Sequence, residues 1–180
     1  MSDFEYMTQN IYQKKLARKV ILQNSLCLWL ALTVINIFFI SLSWHTNEKW
    51  LAVSLVSFLV QVFLTHQTLK QINLFDKGYW RRVFVGLFVS VVAGFGLIVS
   101  SLVVSKVIFP NYISDLRQVN QELLIESTRS KEDIDELLAV YDSPVSDWVL
   151  ATAWLFKTIT VGLIISLILA AIIKEDQSLV

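Results

Sequence analysis

The chain has 180 residues, 55% hydrophobic and 17% charged, with a mean hydropathy of +0.60 and a formal net charge of zero. A soluble domain carries about a quarter charged residues, so this composition argues against a water-soluble globule. Zero net charge also removes the bulk attraction that a nucleic-acid partner would need.

The charge deficit is concentrated. Positions 20–47, 50–69 and 83–105 contain no Asp, Glu, Lys or Arg, and 148–173 contains only Lys157. About 20 apolar residues at 1.5 Å each cross a hydrocarbon core of about 30 Å, so every one of these stretches is long enough to span. Lipid offers the backbone no hydrogen-bond partner, which makes helix the natural form. The expected fold is all-α, an integral membrane four-helix bundle with spans at about 20–43, 50–69, 83–105 and 148–173.

Before the first span, residues 1–19 are polar and end in Lys14, Lys15, Arg18 and Lys19. Phe4, Met7 and Ile11 recur at helical spacing, as in a helix lying on a membrane surface; a frayed tail is the plainer alternative. The apolar stretch that follows exceeds the about 7–15 residues of a signal-peptide core, so it reads as a retained anchor. Its cysteine, Cys27, is the only one in the chain. It can make no internal disulfide and reads as a small apolar helix residue.

A short polar turn at 44–49 forces the first two helices antiparallel. Residues 70–82 then form a basic loop with Lys70, Lys77, Arg81 and Arg82 against Asp76. Together with the N-terminal segment and the tail at 174–180, this side of the membrane carries nine basic residues; the other carries five, spread over more chain. Lys and Arg in short flanking loops mark the cytoplasmic side, so both termini are expected inside. Trp44, Trp50, Phe109, Tyr112 and Trp148 fall at the outer ends, and Tyr79 and Trp80 at an inner end, where aromatic residues prefer to sit.

Between the third and fourth spans, residues 106–147 carry nine acidic and four basic side chains. Pro110 suits a helix start. Ile113, Leu116, Val119 and Leu123 recur at about one turn, and Ile134, Leu137, Leu138 and Tyr141 form a second stripe. Ser130 with Asp133 resembles a capping box, and Pro144 stops the second helix. An external amphipathic hairpin is expected, its stripes facing each other, the membrane or a partner. Leu116, Leu123, Ile134, Leu137 and Tyr141 are the candidate partner-contact surface. The acidic run by itself is a solvated face, and it lacks Ca²⁺-loop spacing.

Inside the membrane the clearest pattern is small residues four apart: Gly86, Ser90 and Gly94 in the third helix, Thr158, Gly162, Ser166 and Ala170 in the fourth. Such stripes let helix backbones approach, and the two helices are expected to pack along them; a homodimer face is the rival. Lys157 is the candidate functional residue within the membrane. It suits pairing with a carboxylate, binding an anionic group, or proton movement. The plainer reading is that it lies less than a turn below the outer boundary and snorkels outward. Asn24, Asn36, Gln61 and His66 read as interhelical hydrogen-bonding groups.

No P-loop, GxSxG elbow, HExxH or CxxC is present. No catalytic residue, cofactor or metal ligand is therefore assigned, and the chain is expected not to be an enzyme. The expected partners are the lipid bilayer and either another protein or further copies of the chain, with no nucleic acid.

From Gly78 onward the sequence resembles a bacterial family of small membrane proteins, domain of unknown function 4199. The run Gly78-Tyr79-Trp80-Arg81-Arg82-Val83-Phe84-Val85-Gly86 is similar to the family's polar-aromatic entry into a glycine-containing helix. Phe109-Pro110-Asn111-Tyr112 stands where the family has Asn before Pro, a departure in order. A charged helical stretch, Ser143-Pro144 and the apolar run Val161-Gly162-Leu163-Ile164-Ile165-Ser166-Leu167-Ile168-Leu169 complete the likeness over roughly 70–175. It implies a four-helix inner-membrane protein and carries over no functional residue. A partner-binding accessory protein is the expected function, with a small transporter or channel subunit as the alternative.

Overall fold

No Gly or Pro occurs before Gly78, so nothing in the backbone chemistry interrupts a helix where the charged N-terminal segment meets the first apolar stretch. The computed structural model, which describes residues 3–44, 49–73, 78–125 and 130–173 (backbone only at 3–11, 50 and 73), has one continuous helix there, α1, Asp3–Ser41. The helix begins well before position 20 because charge marks where a membrane starts, not where a helix does. Its 39 residues extend about 58 Å, nearly twice a hydrocarbon core. The segment with Lys14, Lys15, Arg18 and Lys19 is thus a coaxial extension of the first span, not a separate surface helix. The side chains of Phe4, Met7 and Ile11 lie outside the described residues. The helix closes through Ser43, whose positive φ of 55° is the left-handed end common after a last helical turn.

The remaining elements are α2 (Trp50–Asn73), α3 (Tyr79–Val103), α4 (Tyr112–Ile125), α5 (Lys131–Asp142) and α6 (Ser146–Ile172). The end of α3 widens into a π turn, Val104–Ile108, closed by the Phe109 N–H on the Val104 carbonyl at 2.8 Å. Pro110 sits in the turn before α4, not within the helix, and Pro144 lies between α5 and α6.

Among the described residues, four helical segments are long and apolar enough to cross a membrane: Tyr12–Ser41, Leu51–Ile72, Tyr79–Ile108 and Ser146–Ile172. At most 39% of any of their most apolar windows is buried inside the bundle, so most of their apolar surface faces outward. Phe63, Phe84, Phe88, Phe95 and Ile168 are all more than half exposed. Helices apolar on every face suit lipid as solvent. α3 and α6 form the closest pair; α1 packs on α2 and α3, and α2 also on α6. The apolar centre is Leu28, Leu32, Val89, Ala93 and Leu97, flanked by Trp29, Val60 and Leu64.

Both ends of the α3–α6 pair are tied by charge. The buried Arg82 donates from Nη1 to the Ile173 carbonyl at 2.8 Å, placing a cation on the free carbonyls at the end of α6. At the other end Lys106 in the π turn lies 3.6 Å from Asp147 in the first turn of α6. α4 and α5 form a hairpin clasped by a fork: Arg117 Nε and Nη2 donate to Asp142 Oδ1 and Oδ2 at 2.8 and 3.1 Å. Ser130 caps α5, accepting from the Asp133 N–H at 3.2 Å while donating its hydroxyl to Asp133 Oδ2 at 2.7 Å.

Candidate functional site

The middle of the bundle is polar at a few chosen points. On the facing sides of α3 and α6, glycine and serine alternate. Gly86 lies against Ser166, and Gly162 against Ser90. A Cβ at Gly86 would stand 2.9 Å from Ser166 Cβ, and one at Gly162 would collide with the Ser90 side chain and approach Gln61 Nε2 to 2.9 Å. Each serine therefore occupies space vacated by the opposite glycine. Each also satisfies its own hydroxyl one turn back: Ser90 donates to the Gly86 carbonyl at 3.2 Å and Ser166 to the Gly162 carbonyl at 2.6 Å. Gly94 differs, since the one tight contact of a Cβ there would be the tip of Leu155, which can swing aside, while the Leu155 backbone stands at ordinary contact distance. Thr158 and Ala170 are buried on the same side of α6.

Gln61 of α2 joins this seam from the side. It is 4% exposed, and its amide donates to Ser90 Oγ at 3.2 Å and to the Thr158 carbonyl at 2.9 Å. One residue thus links three helices. Such bonds average about 0.6 kcal/mol in membranes.

Lys157 lies beside this junction. Its ammonium donates to Ser54 Oγ on α2 at 3.4 Å and stands 4.8 Å from the centre of the Trp154 ring. Trp154 precedes it by one turn, so the side chain leans toward the helix N-terminus, as helical geometry favours. A cation at the centre of a membrane helix costs about 2.5–3.5 kcal/mol by insertion scales, and the ring face and hydroxyl offset part of that. The ammonium borders a cavity of about 50 Å³ whose polar lining is Asn36, Ser54, Ser57, Gln61, Lys157 and Thr158. A second cavity of about 30 Å³ adjoins it toward the hairpin. The two share Asn36, Leu97 and Trp154. The second is lined further by Thr33, Ser100, Ser101, Ser105, Tyr112 and Asp147. Tyr112, at the start of α4, is held protonated to about pH 12, first because it is buried and second because Tyr141 lies near it.

Residue chemistry thus runs from the hairpin to mid-bundle through two adjoining cavities, a continuity that sequence spacing does not contain. Four further contributors, Trp29, Thr33, Gly96 and Ser100, were not singled out from sequence. Trp29 donates from Nε1 to Ser100 Oγ at 2.7 Å, Thr33 donates to the same oxygen at 3.0 Å, and Gly96 makes room for the Trp29 ring. The signal for Gly96 was a glycine one helical turn from a serine, on a face adjacent to the small-residue stripe. His66 is exposed on α2, away from the junction, and Asn24 bonds Gln71 at 3.4 Å. Among the described residues no group of three His, Cys, Asp or Glu converges.

The five hairpin residues of the candidate contact surface do not share one environment. Leu116, Ile134 and Tyr141 are half-buried, whereas Leu123 and Leu137 are exposed. The fully buried residue of the second stripe is Leu138. The hairpin closes over one part of each stripe and leaves the other open.

No match is found among curated proteins or among solved structures. The family described as "Protein of unknown function (DUF4199)" matches residues 25–175. With that match running through all four apolar helices and the intervening hairpin, the chain belongs to the DUF4199 family.

Proposed function

We propose that the protein is a multi-pass protein of a bacterial inner membrane, with both termini cytoplasmic, that acts without catalysis by docking another membrane protein through the α4–α5 hairpin. The observation that carries this reading is the exposure of large apolar side chains on both hairpin helices. Leu123 is 62%, Ile125 64%, Leu137 43% and Val140 42% exposed. Apolar side chains of this size stay solvated only at an energetic cost, and clusters of them mark contact sites. The surrounding segment 106–147 has nine acidic and four basic residues, a net −5. A fitting partner surface is apolar with a Lys- and Arg-rich rim. The excess of basic residues on the opposite side supports placing the hairpin outside the cytoplasm.

Photo-crosslinking side chains at Leu123 and Leu137, and at Lys131 as a control, test the reading in native membranes. A single defined adduct from the two apolar positions and not from Lys131 is the expected result. Equal, diffuse labelling from all three, or none, removes the reading.

A second reading, a small transporter or channel subunit, is favoured by the two adjoining cavities beside Lys157. It requires that water reach Ser57 from outside. With Cys27 replaced by Ser, a cysteine in place of Ser57 should then react with a membrane-impermeant thiol reagent added to intact cells.

A further inference from the structure

Lys157 is the one charged residue of 148–173, and its described contacts are the Ser54 hydroxyl and the Trp154 ring. The only acid within the four apolar helical segments is Asp147. It precedes Lys157 by ten residues, about 15 Å along the helix, and already lies 3.6 Å from Lys106. Among the described residues no carboxylate pairs with Lys157. Lys157 is exposed on the bundle surface at this depth, where a charge within an apolar span is commonly paired.

The cavity that the ammonium borders is rich in groups able to donate. Ser54 and Ser57 bring hydroxyls, Asn36 brings an amide N–H group, and Lys157 brings the charge, whereas Gln61 keeps its N–H groups on Ser90 and Thr158. Its volume of about 50 Å³ holds roughly three to four water-sized occupants, at about 15 Å³ each. That suits a compact ion with a water or two. The adjoining cavity, through the shared Asn36 and Trp154, leads past Ser101 and Ser105 toward the hairpin.

We infer that Lys157, with Ser54, Ser57 and Asn36, forms a binding site for a small monovalent anion such as a halide. The anion supplies the counter-charge that the four spans lack. The hydroxyl and amide groups replace part of its water shell. The site does not rest on either reading of the protein's role, since a bound ion can brace the bundle or be carried through it. A phosphate oxygen of a lipid headgroup shares this chemistry and is the other source that the experiment distinguishes.

The test is thermal unfolding of the full chain in uncharged detergent, with sodium bromide replacing sodium gluconate at constant ionic strength. A ligand at ten times its Kd raises the melting temperature of a chain this long by about 3–6 °C. The expected result is a saturable rise of that order in the wild type, retained in Lys157→Arg and absent in Lys157→Met. A second readout covers the case in which Lys157→Met melts poorly. Iodide should quench a saturable fraction of tryptophan fluorescence that disappears in Trp154→Phe, a variant that keeps the lysine. An identical bromide response in wild type and Lys157→Met overturns the site. Stabilisation by phosphatidylglycerol with none by bromide overturns the inorganic anion in favour of a headgroup.

Discussion

Replacing Gly162 with leucine is the most direct test of the glycine–serine seam. At that position even a Cβ collides with Ser90 and comes within 2.9 Å of Gln61 Nε2. Ser90 Cβ is fixed to its backbone and cannot rotate away, so α3 and α6 must separate even where the Gln61 amide yields. Overpacking costs about 1–3 kcal/mol. The shift also removes the two bonds from Gln61, at about 0.6 kcal/mol each, for a total of about 2–4 kcal/mol. For chains of this length that lowers the melting temperature by about 5–15 °C. Thermal unfolding in mild detergent, followed by circular dichroism, measures it. Two companions sharpen the assay. Gly94→Ala has its one tight contact at the movable tip of Leu155 and should melt within about 2 °C of wild type. Ser90→Gly combined with Gly162→Ala exchanges the two side chains across the seam and should recover most of what Gly162→Ala alone loses. Close packing along the seam is refuted if Gly162→Leu melts like wild type, or if the double variant recovers nothing.

Other expectations concern the ends of the bundle and the hairpin. Arg82→Met removes the charged donor to the Ile173 carbonyl, worth about 1.5–3 kcal/mol, and should speed amide hydrogen exchange over the last turn of α6 while leaving its first turns unchanged. Arg117 and Asp142 are partly solvated, so a double-mutant cycle to alanine should give a coupling of only about 0.2–1 kcal/mol that shrinks with added salt. Tyr112 titrates at about 12 when folded against 10.0 for a free phenol. Its share of stability is therefore intact below pH 10 and lost as the pH rises toward 12. In an ultraviolet titration, Tyr112→Phe should delete the last tyrosine component to ionise.

The two stripes of small residues show how far sequence reasoning reaches and where it stops. Spacing of four puts Gly86, Ser90 and Gly94 on one face, and Thr158, Gly162, Ser166 and Ala170 on another, because helix periodicity is local. Which stripe meets which, and that Gly faces Ser across the seam, depends on the vertical register of two helices separated by more than forty residues. Register follows from the loops and from the whole set of contacts, so no local pattern contains it. Gln61 makes the same point. Its type and depth mark it as an interhelical donor, but its partners, Ser90 and the Thr158 carbonyl, come from two other helices.

The hairpin divides similarly. Its two amphipathic helices were legible from apolar periodicity, and the Ser130 cap from the Ser and Asp three apart. The clasp of Arg117 on Asp142 spans 25 residues and has no sequence signature. Sequence by itself determined that the chain is all helix, with four segments apolar enough for a bilayer, because hydropathy and backbone hydrogen bonding act on contiguous residues. The start of α1 at Asp3 escaped it, since charge does not end a helix in a segment free of Gly and Pro. Only the tertiary structure set Lys157 beside Ser54 and opened a polar cavity there, because a cavity belongs to the packing of several helices and to none of them alone.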